Sequence, residues 1–309
     1  MIIIDDPIKP TDALSEPTRT GVNQWFLNTL LSRLDNKVAG RILIVTQRVH
    51  VDDLTGFVLA GSEDWTVLRL PAIAESGQRI PLGRGVFHER LPGDVLWPER
   101  EPRHVLERLR QQLGSDLFAA QYQQEPMPPG GAMIKRHWVK RYRSLPPRTS
   151  STRVVQSWDT ASKGGAENDW SVCTTWHIDE GQFYLVDVDR GRYDYPDLKR
   201  RVLALADRHQ ATSILIEDAG TGTALAQELR WEGQIVIAIK PEGDKIARMS
   251  IHSAKFEAGL VHLPEAAPWL AEFEAELVAF PGSRHDDQID AVSQALAHAS
   301  RSLTMMDVL

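Results

Sequence analysis

An α/β fold built on a mixed sheet is what this chain of 309 residues predicts, on three observations. Short apolar runs bounded by turn residues alternate with segments of helical periodicity. Two of the runs face each other across Asp179-Glu180-Gly181, as the strands of a hairpin do. Two other runs end in carboxylates, Asp159 and Glu217, at positions that are costly for an acid unless something uses it.

Taken in order, Met1 to Asp6 is expected as an apolar strand ending in two acids, and Val22 to Leu34 as an amphipathic helix. Arg41 to Thr46 reads as a second, buried strand and Trp65 to Leu70 as a third. Arg103 to Leu113 is helical, because Leu106, Leu109 and Leu113 recur at helix spacing. The Pro- and Gly-rich run from Glu125 to Gly131 suits an exposed connector. It divides the chain into a first domain at 1–125, a basic linker at 126–150 and a second domain at 151–309. There, Val154 to Trp158 is a strand, and Ser171 to Ile178 pairs with Gln182 to Val188. A helix at Tyr195 to His209, a strand at Ser213 to Glu217 and a helix at Thr223 to Arg230 follow. Next come a strand at Ile235 to Ile239 and a helix at Asp244 to Ala258, stopped by Gly259. Helices around Trp269 to Ala279 and Asp286 to Ser300 close the order.

Composition narrows the function. A hydrophobic content of 42% allows one large or two moderate cores and excludes a disordered tail. The single cysteine, Cys173, excludes an internal disulfide framework and a cysteine-based zinc site, and its apolar setting fits a packed thiol. Met1 to Asp6 has no basic region and too short an apolar run for a secretion signal, and no stretch reaches the roughly 18 apolar residues of a membrane span. A cytoplasmic protein with no membrane partner is the expectation. The net charge of −7 argues superficially against nucleic acid, but local distribution matters more. Residues 131–150 carry Lys135, Arg136, Lys140, Arg141, Arg143 and Arg148 with no acid, interleaved with Trp138 and Tyr142. Such a segment either tracks a phosphate backbone or is a solvated linker whose cations aid solubility.

Three acidic groups carry the chemistry: Ser157-Trp158-Asp159-Thr160, Ile214-Leu215-Ile216-Glu217-Asp218, and His285-Asp286-Asp287-Gln288-Ile289-Asp290. Each has a plain alternative. Asp159 can simply end a strand, and Asp286 or Asp287 can cap a helix. Glu217 resists that reading, since its strand looks central to a sheet. Phosphodiester hydrolysis needs an activated water, charge stabilisation and a supported leaving oxygen, which two divalent ions about 3.5–4 Å apart supply. Hard ions such as Mg²⁺ or Mn²⁺ take oxygen ligands, and Mg²⁺ retains waters, so a few carboxylates on rigid elements suffice. Asp159 would bridge the ions and Glu217 and Asp287 ligate them, with Asp290 one turn along the same helix face, Asp169 in support and Asp286 as an alternative to Asp287.

The order Asp, Glu, Asp on this succession of elements resembles the ribonuclease-H-like nuclease domain, and the wording resembles tailed-phage terminase large subunits. The phrases are Ser157-Trp158-Asp159-Thr160-Ala161, Asn168-Asp169-Trp170-Ser171, Glu217-Asp218-Ala219-Gly220-Thr221-Gly222, Asp244-Lys245 with Arg248, and His285 to Ala291. Upstream, Val45 to Gly56 is similar to the strand and loop late in the terminase motor ATPase, and Ala119 to Pro126 to the bridge into the nuclease. The resemblance implies a ribonuclease-H-like mixed sheet flanked by helices, preceded by a partial P-loop-type ATPase segment. It implies an enzyme that cuts concatemeric phage DNA for packaging, with portal protein and small terminase subunit as partners. Asp159, Glu217 and Asp287 would be its catalytic ligands, and Lys245 and Arg248 would lie near the DNA backbone, unless they only form an exposed charged helix face.

The beginning departs from the family. Met1-Ile2-Ile3-Ile4-Asp5-Asp6 resembles a Walker B strand, yet no Gly-x-x-x-x-Gly-Lys-Ser/Thr loop occurs in the sequence to cradle a triphosphate. Residues 1 to about 125 are therefore expected to be the trailing part of an ATPase domain, with ATP as a cofactor only if the remainder is supplied. The competing expectations are another ribonuclease-H-like nuclease of the Holliday-junction resolvase type and a catalytically silent, prophage-derived packaging or DNA-binding module. A transposase would usually place Glu last, where this chain has Asp287 and Asp290.

Overall fold

The computed structural model describes residues 1–61, 64–126, 132–160, 170–241, 244–282 and 286–306, with side chains to 299. It divides into two units, Met1–Gly131 and Ala132–Leu309.

In the first unit β1 (Ile2–Asp5) and α1 (Glu16–Trp25) precede β2 (Ile42–Val45), which pairs with β1 in parallel, Ile2 opposite Ile42 and Asp5 opposite Val45. α1 begins six residues before the expected helix, after Ser15 and with Pro17 in its first turn. It gives way to a wider turn at Phe26–Leu30 and a tighter one at Leu31–Arg33. The expectation that β2 is buried is corrected: Ile4 lies inside, but Ile3, Leu43 and Val45 are exposed. Alternation along a two-stranded sheet leaves one face uncovered when helices pack on the other. α2 (Leu54–Leu59) is capped by Asp53, which accepts the Gly56 amide at 2.8 Å and is held by Arg48 at 2.9 Å.

The expected strand at Trp65 to Leu70 is likewise corrected, since these residues form no regular element. Val67 and Leu68 are exposed there, and an apolar run without a pairing strand has nothing to satisfy its backbone as a sheet. A hairpin of β3 (Gln78–Gly83) and β4 (Val86–Arg90) follows, then α3 (Arg103–Leu113) and α4 (Ser115–Gln121), whose Leu106 and Phe118 pack with Ala72.

The second unit is a seven-stranded mixed sheet. Its strands are β5 (Lys140–Tyr142), β6 (Arg153–Asp159), β7 (Ser171–Asp179), β8 (Gln182–Gly191), β9 (Ser213–Glu217), β10 (Val236–Ile239) and β11 (Val261–Pro264). They lie in the order β10-β9-β6-β7-β8-β11-β5. β6, β7 and β8 form an antiparallel meander, while β9 and β10 add in parallel on the β6 side. Between strands run α5 (Tyr195–His209), α6 (Thr221–Trp231) and α7 (Lys245–Glu257), and α8 (Leu270–Ala279) and α9 (Asp287–Met306) complete the unit. Residues 132–150, expected as linker, contribute the edge strand β5 together with buried Ile134 and Trp138.

Period-two alternation on β6 and β9 assigns the two sheet faces. Trp158 and Ile216 sit opposite each other in register and join Leu198, Val202 and Leu225 in one core cluster, on the face covered by α5 and α6. Val155 and Leu215 point the other way, into the larger core with Ile289, Val292 and Leu296 of α9. Asp159 and Glu217 continue this second set. Cys173 is buried, as its setting predicts. Among the described residues no helix is long and apolar enough to cross a membrane.

Candidate active site: a carboxylate cluster with built-in cations

Because Trp158 pairs with Ile216 in the parallel β6–β9 ladder, the next residues, Asp159 and Glu217, emerge side by side where both strands end. Each terminates a fully apolar or buried stretch, so sheet pairing brings two acids together that are 58 positions apart in the chain. α9 crosses the same face and is tied to β6 by Gln294, whose amide donates to Ser157 Oγ at 3.0 Å and to the Trp158 carbonyl at 3.3 Å. That docking aims the first turn of α9, with Asp287 and Asp290, at the strand ends. Asp286 stands just before it. The carboxylates at a helix start are also favoured by its dipole.

Three cations answer these acids. Lys245 Nζ, from the first turn of α7, lies 2.9 Å from Asp286 and 2.6 Å from Asp290. Arg248, one turn further on, reaches Asp290 at 2.7 Å. Arg190, near the end of β8, lies 3.4 Å from Asp287. It also pairs with Glu272, approaches Glu276 at 3.9 Å and stacks over the ring of Trp170 at 4.6 Å. Buried Glu276 in turn accepts the Gln288 backbone amide at 2.9 Å and its side-chain amide at 2.6 Å, capping the start of α9. Arg190, Glu276 and Gln294 were not singled out by sequence.

The charge balance of this cluster is uneven. Burial pushes the Asp159 carboxyl up to about 8, and the neighbouring Asp290, Glu217 and Asp287 add to the effect, with only Lys245 opposing it. Burial and Asp290 raise Glu217 as well, against Arg248 and Lys245. Burial opposes the charge on Lys245, yet its hydrogen bonds to Asp290 and Asp286 hold the ammonium above its usual range.

A stability consequence follows from the sign of these shifts. A carboxyl whose folded pKa is raised holds its proton more tightly in the folded state, so its contribution is complete below its ordinary value of 3.8 and is lost as pH climbs to about 8. Urea unfolding in EDTA should therefore show stability falling across that window, and Asp159→Asn should flatten the fall. An unchanged pH slope in the variant would contradict the assignment.

Among the described residues, no group of three or more His, Cys, Asp or Glu side chains is placed to hold a metal ion by itself. The donors present still fit a hard divalent cation. They are all carboxylate oxygens, two of them from adjacent strand ends, and burial together with the neighbouring acids raises the Asp159 carboxyl, a charge deficit that a cation offsets. Mg²⁺ asks for only one or two carboxylates beside its waters.

The sequence also points to Asp169, to basic residues of 131–150 and to Asp5 and Asp6. Asp169 lies outside the described residues. Lys140 and Arg141 are on β5, four strands from β6, or about 19 Å at the usual strand spacing. Arg141 is engaged by Glu274 and the Pro264 carbonyl, Lys135 sits 4.6 Å over the Trp138 ring, and Arg136 is exposed. Asp5 and Asp6, in the first unit, are exposed at the end of β1.

Residues 156–299 match the family described as the terminase RNaseH-like domain. No curated protein matches the chain. Among solved structures, the chain is similar to the large terminase of thermophilic bacteriophage D6E in complex with ATP-γ-S, with a TM-score of 0.52 and 13% identity over 89% of this chain and 59% of that one. It thus spans less than two thirds of that protein. The large terminase nuclease of thermophilic phage G20c with bound cobalt aligns with a TM-score of 0.43 and 17% identity, over 55% of this chain and 98% of that one.

Proposed function

We propose that residues 156–299, which match the terminase RNaseH-like domain, form a divalent-metal-dependent endonuclease acting on double-stranded DNA. The observation that supports this reading is the meeting of Asp159 and Glu217 at adjacent strand ends beneath the acidic first turn of α9. Asp159, Glu217 and Asp287 would hold two ions, with Asp290 and Asp286 alongside. Bound there, Mg²⁺ or Mn²⁺ would activate water and stabilise the charge developing on the phosphate. The protein's own part is positional. The sheet fixes Asp159 and Glu217, Glu276 and Gln294 fix α9, and Arg190 orients Asp287.

Lys245 and Arg248 neutralise Asp286 and Asp290 in this structure. Were divalent ions to hold those carboxylates, Lys245 and Arg248 would turn to face the DNA backbone, the role expected from the resemblance. Concatemeric phage DNA in the host cytoplasm is the substrate of this reading, with the portal protein and small terminase subunit as partners. Asp5 and Asp6 would serve a nucleotide's magnesium only with a phosphate loop supplied by another segment.

Because Asp159 must lose its proton to ligate, metal binding at pH 7 should release protons, and affinity should rise with pH until about 8. Calorimetry of Mn²⁺ binding in two buffers of different ionisation enthalpy reads this directly. Identical apparent enthalpies in both would contradict it.

The nuclease assignment is tested by incubating supercoiled plasmid with the full chain and Mg²⁺, Mn²⁺ or EDTA. Nicking and linearisation are expected with either metal and not with EDTA, and they should vanish in Asp159→Ala. Cutting that survives EDTA or the substitution would sink the proposal.

A further inference from the structure

β6 does not end in chemistry at Asp159 alone. The next residue, Thr160, points by alternation to the opposite sheet face, where α6 begins. It is only 7% exposed, and among the described residues its hydroxyl has no hydrogen-bond partner, an arrangement that costs free energy in a protein with no ligand there. Its direction is set by packing. A Cβ placed on Gly222, in the first turn of α6, would stand 2.9 Å from Thr160 Oγ1 and 2.1 Å from the Glu217 carbonyl. Only glycine lets the ends of β6 and β9 and the start of α6 come so close.

That helix start carries no side-chain cap, and its Gly222 amide bonds back to the Ala219 carbonyl at 3.0 Å. α6 runs eleven residues, and its N-cap is Gly220, at φ 53° and ψ −121°, which offers no side chain to the first turn. The Thr223 hydroxyl donates to Asp218 Oδ1 at 2.8 Å, so the acid at this terminus is already turned to one side. An unsatisfied hydroxyl beside the positive end of a helix dipole is a donor arrangement for an anion.

We propose that Thr160 and the first turn of α6 form a subsite for a phosphodiester of the strand being cut, one flanking the bond at the carboxylates. The inference rests on the nuclease reading for the identity of the anion. Asp159 and Thr160 are consecutive and face opposite sides of the sheet where the interior strand β6 ends, so a DNA strand crossing those strand ends would meet the metal-holding acids with one phosphate and this subsite with a neighbour. Thr160 is then a positioning residue: it holds the register of the strand and does not touch the reacting atoms.

The test uses the full chain with Thr160→Val, which keeps the shape and removes the hydroxyl, and Thr160→Ser, which keeps the hydroxyl. Affinity for a fluorescein-labelled DNA duplex is read by anisotropy in Ca²⁺, beside plasmid cutting in Mg²⁺ and thermal melting without DNA. The valine variant should bind DNA about tenfold more weakly, the loss expected for one hydrogen bond to a charged group. It should also melt about 2–4 °C higher, because a lone buried hydroxyl has gone. Serine should restore affinity. Equal DNA affinity in parent and valine variant, or an equal loss in serine and valine, would overturn the subsite. If the parent protein never cuts, the nuclease reading fails, while the anisotropy arm still decides whether Thr160 binds a phosphate.

Discussion

Asp159→Asn should reduce metal-dependent DNA cutting by about a thousandfold, the scale of losing a group that stabilises transition-state charge, while making the metal-free protein more stable above pH 7. The two effects have one cause. Asp159 is pressed by burial and by Asp290, Glu217 and Asp287, and its carboxyl is pushed to about 8 for that reason. Asparagine keeps the size of the side chain and removes its charge, so it relieves the repulsion and also removes the charged ligand proposed for the ions. An Asp159 that merely ended a buried strand would show the stability change alone. Paired measurements of plasmid linearisation and urea unfolding in EDTA separate these cases, and a variant that cuts normally would refute the role given to Asp159.

Glu276→Ala is the second large effect, and it acts at a distance from the reacting atoms. Glu276 is 6% exposed and accepts two hydrogen bonds from Gln288, one of them from the backbone at the start of α9. It also faces Arg190, which holds Asp287. Truncation strands a buried amide and an under-neutralised guanidinium, at a cost of about 2–3 kcal/mol. The same change loosens Asp287, so divalent-ion affinity should fall by about 10–100-fold, as for removal of an outer partner of a metal ligand. Glu276→Gln keeps an acceptor for the backbone amide and should lose much less stability. Denaturant melts and Mn²⁺ titration check both, and an alanine variant with parental Mn²⁺ affinity would show that Glu276 only supports the fold.

How much of this was legible before the structure depended on whether the signal was local. α3 and α5 carry periodic apolar residues, with Asp194 capping α5, and their expected and observed bounds coincide. β6 and β9 were legible as apolar runs, and Asp159 and Glu217 as the acids that end them. β5 and β11 were not. Lys140-Arg141-Tyr142 is polar and three residues long, and it becomes a strand only because β11 lies beside it, with Lys140 opposite His262. Its cations suit either a phosphate track or a solvated linker by sequence, and neither reading foresees that Arg141 pairs with Glu274. Arg190 escaped notice because a basic residue near the end of a long strand looks solvent-facing, and its partner Asp287 is 97 positions away. Lys245 and Arg248 drew attention through resemblance alone, which suggested DNA and gave no hint that they would hold the acids of α9.

The central claim is that Asp159, Glu217 and Asp287 share divalent ions. Anomalous difference density from crystals of the full chain grown with Mn²⁺ tests it most directly. Two peaks about 3.5–4 Å apart, with Asp159 between them and Glu217 and Asp287 on either side, are the predicted result. Manganese bound elsewhere, with Lys245 and Arg248 still closed on Asp290, would contradict it.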